Sequence, residues 1–96
     1  MQSGEMLYIL KCDLQMTTKS NDNYLEMLLK KAKLDIEREG IVIIDDDLEC
    51  EMAIIHYAAY LFRKRAAADT AMPRFLRFDL NNILLSQKGA KNNDDF

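Results

Sequence analysis

The sequence predicts an all-α fold, a small four-helix bundle in which two long helices pack antiparallel. Apolar residues recur at helical spacing along most of the 96 residues. The chain contains only 3 Gly and 1 Pro, too few turn-forming residues for a fold of many short strands. A chain of this length forms one domain, so we expect a helical domain at 1–89 and a flexible acidic tail at 90–96.

The ends of the first two helices follow from their flanking residues. We expect the first helix at about 5–14 and the second at about 23–39. Asn21 or Asp22 can cap the start of the second helix, and Gly40 stands just past its end, where glycine commonly ends helices.

The second helix carries two apolar faces of unequal size. The larger face follows a 3.6-residue period and should pack in the core; its members are Leu25, Leu28, Leu29, Ala32 and Ile36. Met27 and Leu34, seven residues apart, lie on the opposite face. In a monomer this second apolar face would have nothing to pack against.

The third helix follows a β-branched segment at 41–44, which is either a short strand or a buried extended connector. Asp46 and Glu49 resemble a capping box at its start, and it ends between Ala66 and Asp69. The predicted core stripe of this helix is Leu48, Met52, Ile55, Ala59, Phe62 and Ala66.

The fourth helix is apolar on two sides. Pro73 fits its first position, and Gly89 fits the position just past its end. One side carries Phe75, Phe78, Asn82 and Leu85, and the other carries Leu76, Leu80, Ile83 and Leu84. A small chain has no reason to surround its last helix with apolar residues unless neighbours cover it. We therefore expect an assembly module whose contacts with other subunits or a partner include Arg74, Phe75, Arg77, Phe78 and Leu85.

Charge is divided unevenly along the chain. Residues 35–51 hold eight acids and one base, whereas residues 63–77 hold five bases and one acid. The net charge of −3 argues against wholesale coating of nucleic acid. The cluster Arg63, Lys64 and Arg65 is a candidate phosphate-facing patch, a candidate contact with the acids of a neighbouring copy in a ring, or a solvated face.

The candidate chemical residues do not form a catalytic or metal-binding pattern, and we expect no enzyme activity, metal or cofactor. Cys50 and His56 are six residues apart, about 240° around one helix, so they cannot hold the same ion or form a catalytic pair. A pairing of Cys12 with His56 through folding stays open. The acidic run at 45–51 lacks the spaced ligands and central glycine of an EF-hand loop.

The sequence also predicts the compartment. Two separated cysteines in a chain with a good core indicate reduced thiols and a cytoplasmic setting. The first residues lack the basic start and cleavage site of a signal peptide. The longest nearly apolar run, at 52–62, is too short to span a bilayer, so we expect no membrane association.

The order of these features resembles the head–tail connector proteins of tailed bacteriophages, also called head-completion or adaptor proteins, of phages and prophages of Firmicutes. The resemblance spans about 6–88 and is most specific in YAAYLFRKR at 57–65 and MPRFLRFDLNN at 72–82. The opening of the first helix is more apolar than the family pattern. The resemblance implies an α-helical ring, a dodecamer on the portal protein, from a chain that can be monomeric when free.

In that family the ring lies beneath the portal, extends the DNA channel and provides the platform for the next neck or tail-completion protein. The resemblance therefore implies a location in the virion neck, after assembly in the host cytoplasm, with only non-specific proximity to packaged DNA. The alternative is a small helix-turn-helix-like DNA-binding regulatory protein built on the third and fourth helices. Against it, the fourth helix has too many apolar residues and too few base-reading side chains.

Overall fold

The computed structural model describes the backbone of residues 1–94 and the side chains of residues 1–89. Within that part the chain forms four helices and no strand, which confirms the all-α prediction. The helices are α1 (Ser3–Asp13), α2 (Asp22–Arg38), α3 (Leu48–Ala66) and α4 (Arg74–Asp94). The flexible tail is predicted at 90–96. The side chains of these residues, and all of residues 95 and 96, lie outside the described part.

Helix α2 forms as its sequence predicts. All five residues of its predicted core face are buried. Asn21 occupies the cap position, although its side chain makes no capping hydrogen bond. The chain leaves the helix through Gly40, whose φ of +98° lies in the left-handed region that glycine adopts without strain.

The segment between α2 and α3 is held by a side chain instead of a neighbouring strand. The amide of Gln87 donates to the carbonyl oxygen of Val42 at 2.7 Å, and its Oε1 accepts from the Val42 N–H at 2.8 Å. Both backbone groups of Val42 are thereby paired, which removes the need for a sheet partner. Ile41 is buried beside this contact, whereas Val42 and Ile44 are exposed.

The predicted capping box at the start of α3 is wrong. Asp47 is the cap, and its Oδ2 accepts from the N–H of Cys50 at 3.2 Å. Cys50 occupies the position where a capping box needs a glutamate or glutamine. Asp46 has a φ of +60° and instead binds the Met1 amino group.

Helix α3 contacts each of the other three helices, and its predicted stripe is only partly right. Ile55 and Ala59 are buried, Met52 and Phe62 are half-buried, and Leu48 and Ala66 are exposed. Because three helices cover α3, its buried surface is wider than one stripe. The buried surface also includes Cys50, Glu51, Ala53, Ile54 and Ala58.

Both predicted ends of α4 are wrong. The Pro73 carbonyl accepts the first helical hydrogen bonds, so Pro73 stands one residue before the helix. The helix continues through Gly89 to Asp94. A single glycine costs a helix only about 1 kcal/mol relative to alanine, too little to end it without further signals.

Further packing contacts involve α1, α2 and α3. Tyr24 at the start of α2 lies with its ring 6.3 Å from that of Phe62 near the end of α3. Leu10 of α1 is fully buried in the same core.

None of the helices in the described ranges is long and apolar enough to cross a membrane.

The amino group of Met1 is docked against two carboxylates. It lies 2.5 Å from Glu51 Oε2 and 3.0 Å from Asp46 Oδ1. Glu51 is the one buried charged residue among those described. Hydrogen bonds to Glu51 and then to Asp46 raise the pKa of this amino group from 8.0 to about 10.

We expect Ile55→Ala to lower the free energy of unfolding by about 2–5 kcal/mol, because it opens a cavity in a fully buried site. Leu48→Ala is the matched control and should change it by less than about 0.5 kcal/mol, since 62% of that residue is exposed. Urea denaturation measures both variants. Equal losses would contradict the packing of α3 described here.

Protein that begins at Met1 should lose stability as pH rises from 8 to 10. The pKa of the amino group is higher when folded, so its stabilising contribution is complete below pH 8 and is lost as pH passes about 10. Denaturant midpoints measured across this range should fall less steeply in Glu51→Gln, which lacks the main partner. Identical pH profiles for the two proteins would show that the ion pair does not form in solution.

Candidate interaction surface

The solvent side of α4 is apolar, and we call Phe75, Phe78 and Leu85 the outer α4 face. Their exposed fractions are 53%, 66% and 65%. The opposite side of the helix, with Leu76, Leu80 and Ile83, is buried in the core, as the spacing predicts. Single exposed apolar residues are common, but three along one helix face are typical of a contact surface.

Two polar contacts fix which side of α4 faces outward. The Arg77 guanidinium donates to Glu39, at 2.7 Å from Nη1 to Oε1 and 3.2 Å from Nη2 to Oε2. Ten residues further on, Gln87 holds Val42. Both partners lie at the end of α2 or just beyond it, so they orient α4 along its length.

The hydrogen bonds to Glu39 raise the pKa of Arg77 above its ordinary value. The guanidinium of Arg77 thus has a partner within the same chain. Arg77 is also predicted at a subunit contact, and this stays a prediction. Arg74, also predicted there, is exposed at the start of α4.

Phe75 connects the outer α4 face to α3. The His56 ring meets the Phe75 ring edge-on, with centroids 5.0 Å apart and planes at 89°. This arrangement suits the electrostatics of aromatic rings. His56 therefore packs beside the outer face, away from Cys50.

The predicted basic patch is largely engaged inside the chain. Arg63 binds Asp13, with Nη2 3.3 Å from Oδ2. Arg65 stacks over the ring of Tyr24 at 4.8 Å, and Lys64 lies over Tyr60. All three side chains remain exposed at their outer surfaces. They face solvent as a charged rim, with part of their donor capacity already used.

A groove of about 300 Å³ runs between α3 and α4 beside the outer α4 face. Met52, Ala53 and Ile83 provide apolar lining together with Leu48, which is exposed. Its polar lining consists of Glu49, Asp79 and Asn82. We call this the α3–α4 groove. The sequence signal for it is the spacing of four between Leu48 and Met52 and between Asp79 and Ile83, but only folding brings the two pairs together.

A second exposed apolar site lies on α2. Met27 and Leu34 have exposed fractions of 60% and 44%. The lysines at 30 and 31 lie between them in sequence, and Lys31 also binds Asp35 at 2.7 Å in the next turn. We call Met27, Lys30, Lys31 and Leu34 the α2 seam.

The thiols show no reactive arrangement. Cys50 is buried, its Sγ lies 3.9 Å from the Val42 carbonyl oxygen, and burial raises its pKa. Cys12 is exposed on α1. Among the described residues, no three His, Cys, Asp or Glu side chains come close enough to hold a metal ion.

Comparison of the chain with protein-family models, with curated proteins and with solved structures finds no match.

A double-mutant cycle tests whether Arg77 orients α4. We expect Arg77→Gln and Glu39→Gln to show a coupling of about 0.5–1 kcal/mol in unfolding free energy, the range for an exposed ion pair with good geometry. Lys31→Gln with Glu39→Gln is a control pair without contact and should show none. Zero coupling between Arg77 and Glu39 would show that this ion pair does not orient α4.

Proposed function

We propose that this chain is a head–tail connector of a tailed bacteriophage, which forms a ring beneath the portal protein. In this role the ring extends the DNA channel and carries the next neck or tail-completion protein. The proposal places the chain in the virion neck, with assembly in the host cytoplasm. It has no catalytic role.

The observation that carries this proposal is the outer α4 face. Phe75, Phe78 and Leu85 leave most of their surfaces in water, although the other side of α4 already supplies a complete core contact. Exposed apolar surface of this kind marks a site where another molecule binds. The resemblance of residues 57–65 and 72–82 to connector proteins supplies the kind of assembly.

The architecture fits a building block of such a ring. We propose that α2 and α3 form the long antiparallel pair of the bundle and that α4 packs on them as a separate outer helix. The contact between Tyr24 and Phe62, at opposite ends of their helices in sequence, supports this direction. The ion pair between Arg77 and Glu39 sets the rotation of α4.

In the ring, we assign the outer α4 face and Arg74 to contacts with neighbouring subunits or the portal. The basic rim formed by Arg63, Lys64 and Arg65 then contributes charge near DNA or near the acids of a neighbouring copy. Exposed cations of this kind, among which only Arg63 pairs with a carboxylate in the described part of the chain, suit weak, sequence-independent proximity to phosphates.

Two observations weigh against the DNA-binding regulator. The connection between α3 and α4 covers 67–73, longer than the turn of about 3–4 residues in a helix-turn-helix unit. The helix that would enter the major groove instead presents phenylalanine and leucine to solvent.

Phe78→Asp tests the proposal in phage particles. We expect particles made with this variant to leak DNA or lack tails, because a buried aspartate would oppose the contact. Circular dichroism of the purified variant should keep its helical signal, since Phe78 is exposed in the free chain. Arg77 is left unchanged because of its structural contact with Glu39.

Tyr8→Asp is the matched control, since Tyr8 is an aromatic residue with 70% exposure on α1. Particles with this variant should stay infectious. Infectious, tailed particles from Phe78→Asp would remove the main support for the connector proposal.

A further inference from the structure

We propose that the α2 seam of one copy docks into the α3–α4 groove of the next copy, in a head-to-tail contact. The inference rests on the proposed function only in that both require the chain to self-assemble. The occupant of the groove is thus a second copy of this chain, recognised through two lysines and two apolar side chains.

The two surfaces point in opposite directions. Leu29 of α2 and Ile54 of α3 line one shared cavity, so each faces the other helix. Met27 precedes Leu29 by two residues and Met52 precedes Ile54 by two residues, which is about 200° of helical rotation in each case. Met27, Lys31 and Leu34 of the α2 seam therefore face away from α3, Lys30 lies at the edge of the seam and also lines that cavity, and the α3–α4 groove faces away from α2. A contact between different, oppositely directed surfaces generates rings or filaments.

The charges of the two surfaces are complementary. The α2 seam carries Lys30 and Lys31, whereas the α3–α4 groove carries Glu49 and Asp79. Within residues 1–89, Lys30, Glu49 and Asp79 form no ion pair, and Lys31 has only the exposed pair with Asp35. An exposed pair of that kind contributes little, so Lys31 can exchange partners. Contact between two seams or two grooves would bring like charges together.

The apolar parts are similar in length. Met27 and Leu34 are about 10 Å apart along α2 at the helical rise per residue. The lining of the groove on α3 runs from Leu48 to Ala53, about 7.5 Å along the helix by the same rise. The flexible, unbranched side chain of methionine suits a shallow and irregular groove.

Charge reversal of one surface at a time tests this contact. The seam variant is Lys30→Glu with Lys31→Glu, and the groove variant is Glu49→Lys with Asp79→Lys. Sedimentation equilibrium up to millimolar concentration should show association of the unchanged chain, weakened at least about tenfold in each variant alone by like charges. Lys19→Glu and Glu5→Lys, exposed and outside both surfaces, are the controls and should associate normally.

An equimolar mixture of the two variants is the decisive sample. The acidic seam of the seam variant can pair with the basic groove of the groove variant. The unchanged acidic groove of the seam variant can pair with the unchanged basic seam of the groove variant. The mixture should therefore associate about as strongly as the unchanged chain. Both variants should keep their helical circular dichroism signal, and recovery in the mixture would itself show that they are folded.

Three results would overturn the docking: an unchanged chain that is monomeric at millimolar concentration, variants that associate normally on their own, or a mixture that fails to associate. Phage particles separate this failure from failure of the connector proposal. If the seam and groove variants give tailed particles while Phe78→Asp does not, the docking is wrong and the connector proposal stands.

Discussion

The rest of the structure depends on the burial of α3 beneath the other three helices. Its buried residues include Ala53, Ala58 and Ala59, whose small side chains allow neighbouring helices to approach closely. Helices α1 and α2 cover much of α3, and α4 packs onto what remains through Leu76, Leu80 and Ile83. One face of α4 is enough for this contact. The opposite face is left in water, and this leftover apolar surface is the physical origin of the candidate interaction site.

Local patterns in the sequence predict the fold where one helix meets one neighbour. The core face of α2 and the left-handed Gly40 follow from spacing and glycine chemistry alone. The pattern fails on α3, because several helices bury residues outside the single predicted stripe, such as Ala53 and Ile54, while Leu48 at the end of the stripe is exposed. The contact between Gln87 and Val42 joins residues 45 apart in sequence, and no local rule anticipates it.

Some features of the candidate site can likewise be predicted from the sequence, and others cannot. The exposure of Phe75, Phe78 and Leu85 follows from counting apolar residues around α4, so the sequence alone indicates it. The role of Arg77 and the internal partners of the basic cluster can be identified only from the folded chain, because an ion pair depends on distances across the molecule. The α3–α4 groove likewise exists only once two helices lie side by side. Charge counting along the chain misses the ion pair of Arg63 and the ring contacts of Lys64 and Arg65, although all three side chains stay exposed.

The proposed function requires that another protein covers the outer α4 face when the chain is assembled. Hydroxyl-radical footprinting of the free chain and of the chain in purified phage particles tests it most directly, because oxidation reports the exposure of individual side chains. We expect Phe78 and Leu85 to react readily in the free chain and to be strongly protected in particles, while residues of the buried core, such as Leu76, react slowly in both. Equal oxidation of Phe78 and Leu85 in the two samples would contradict it.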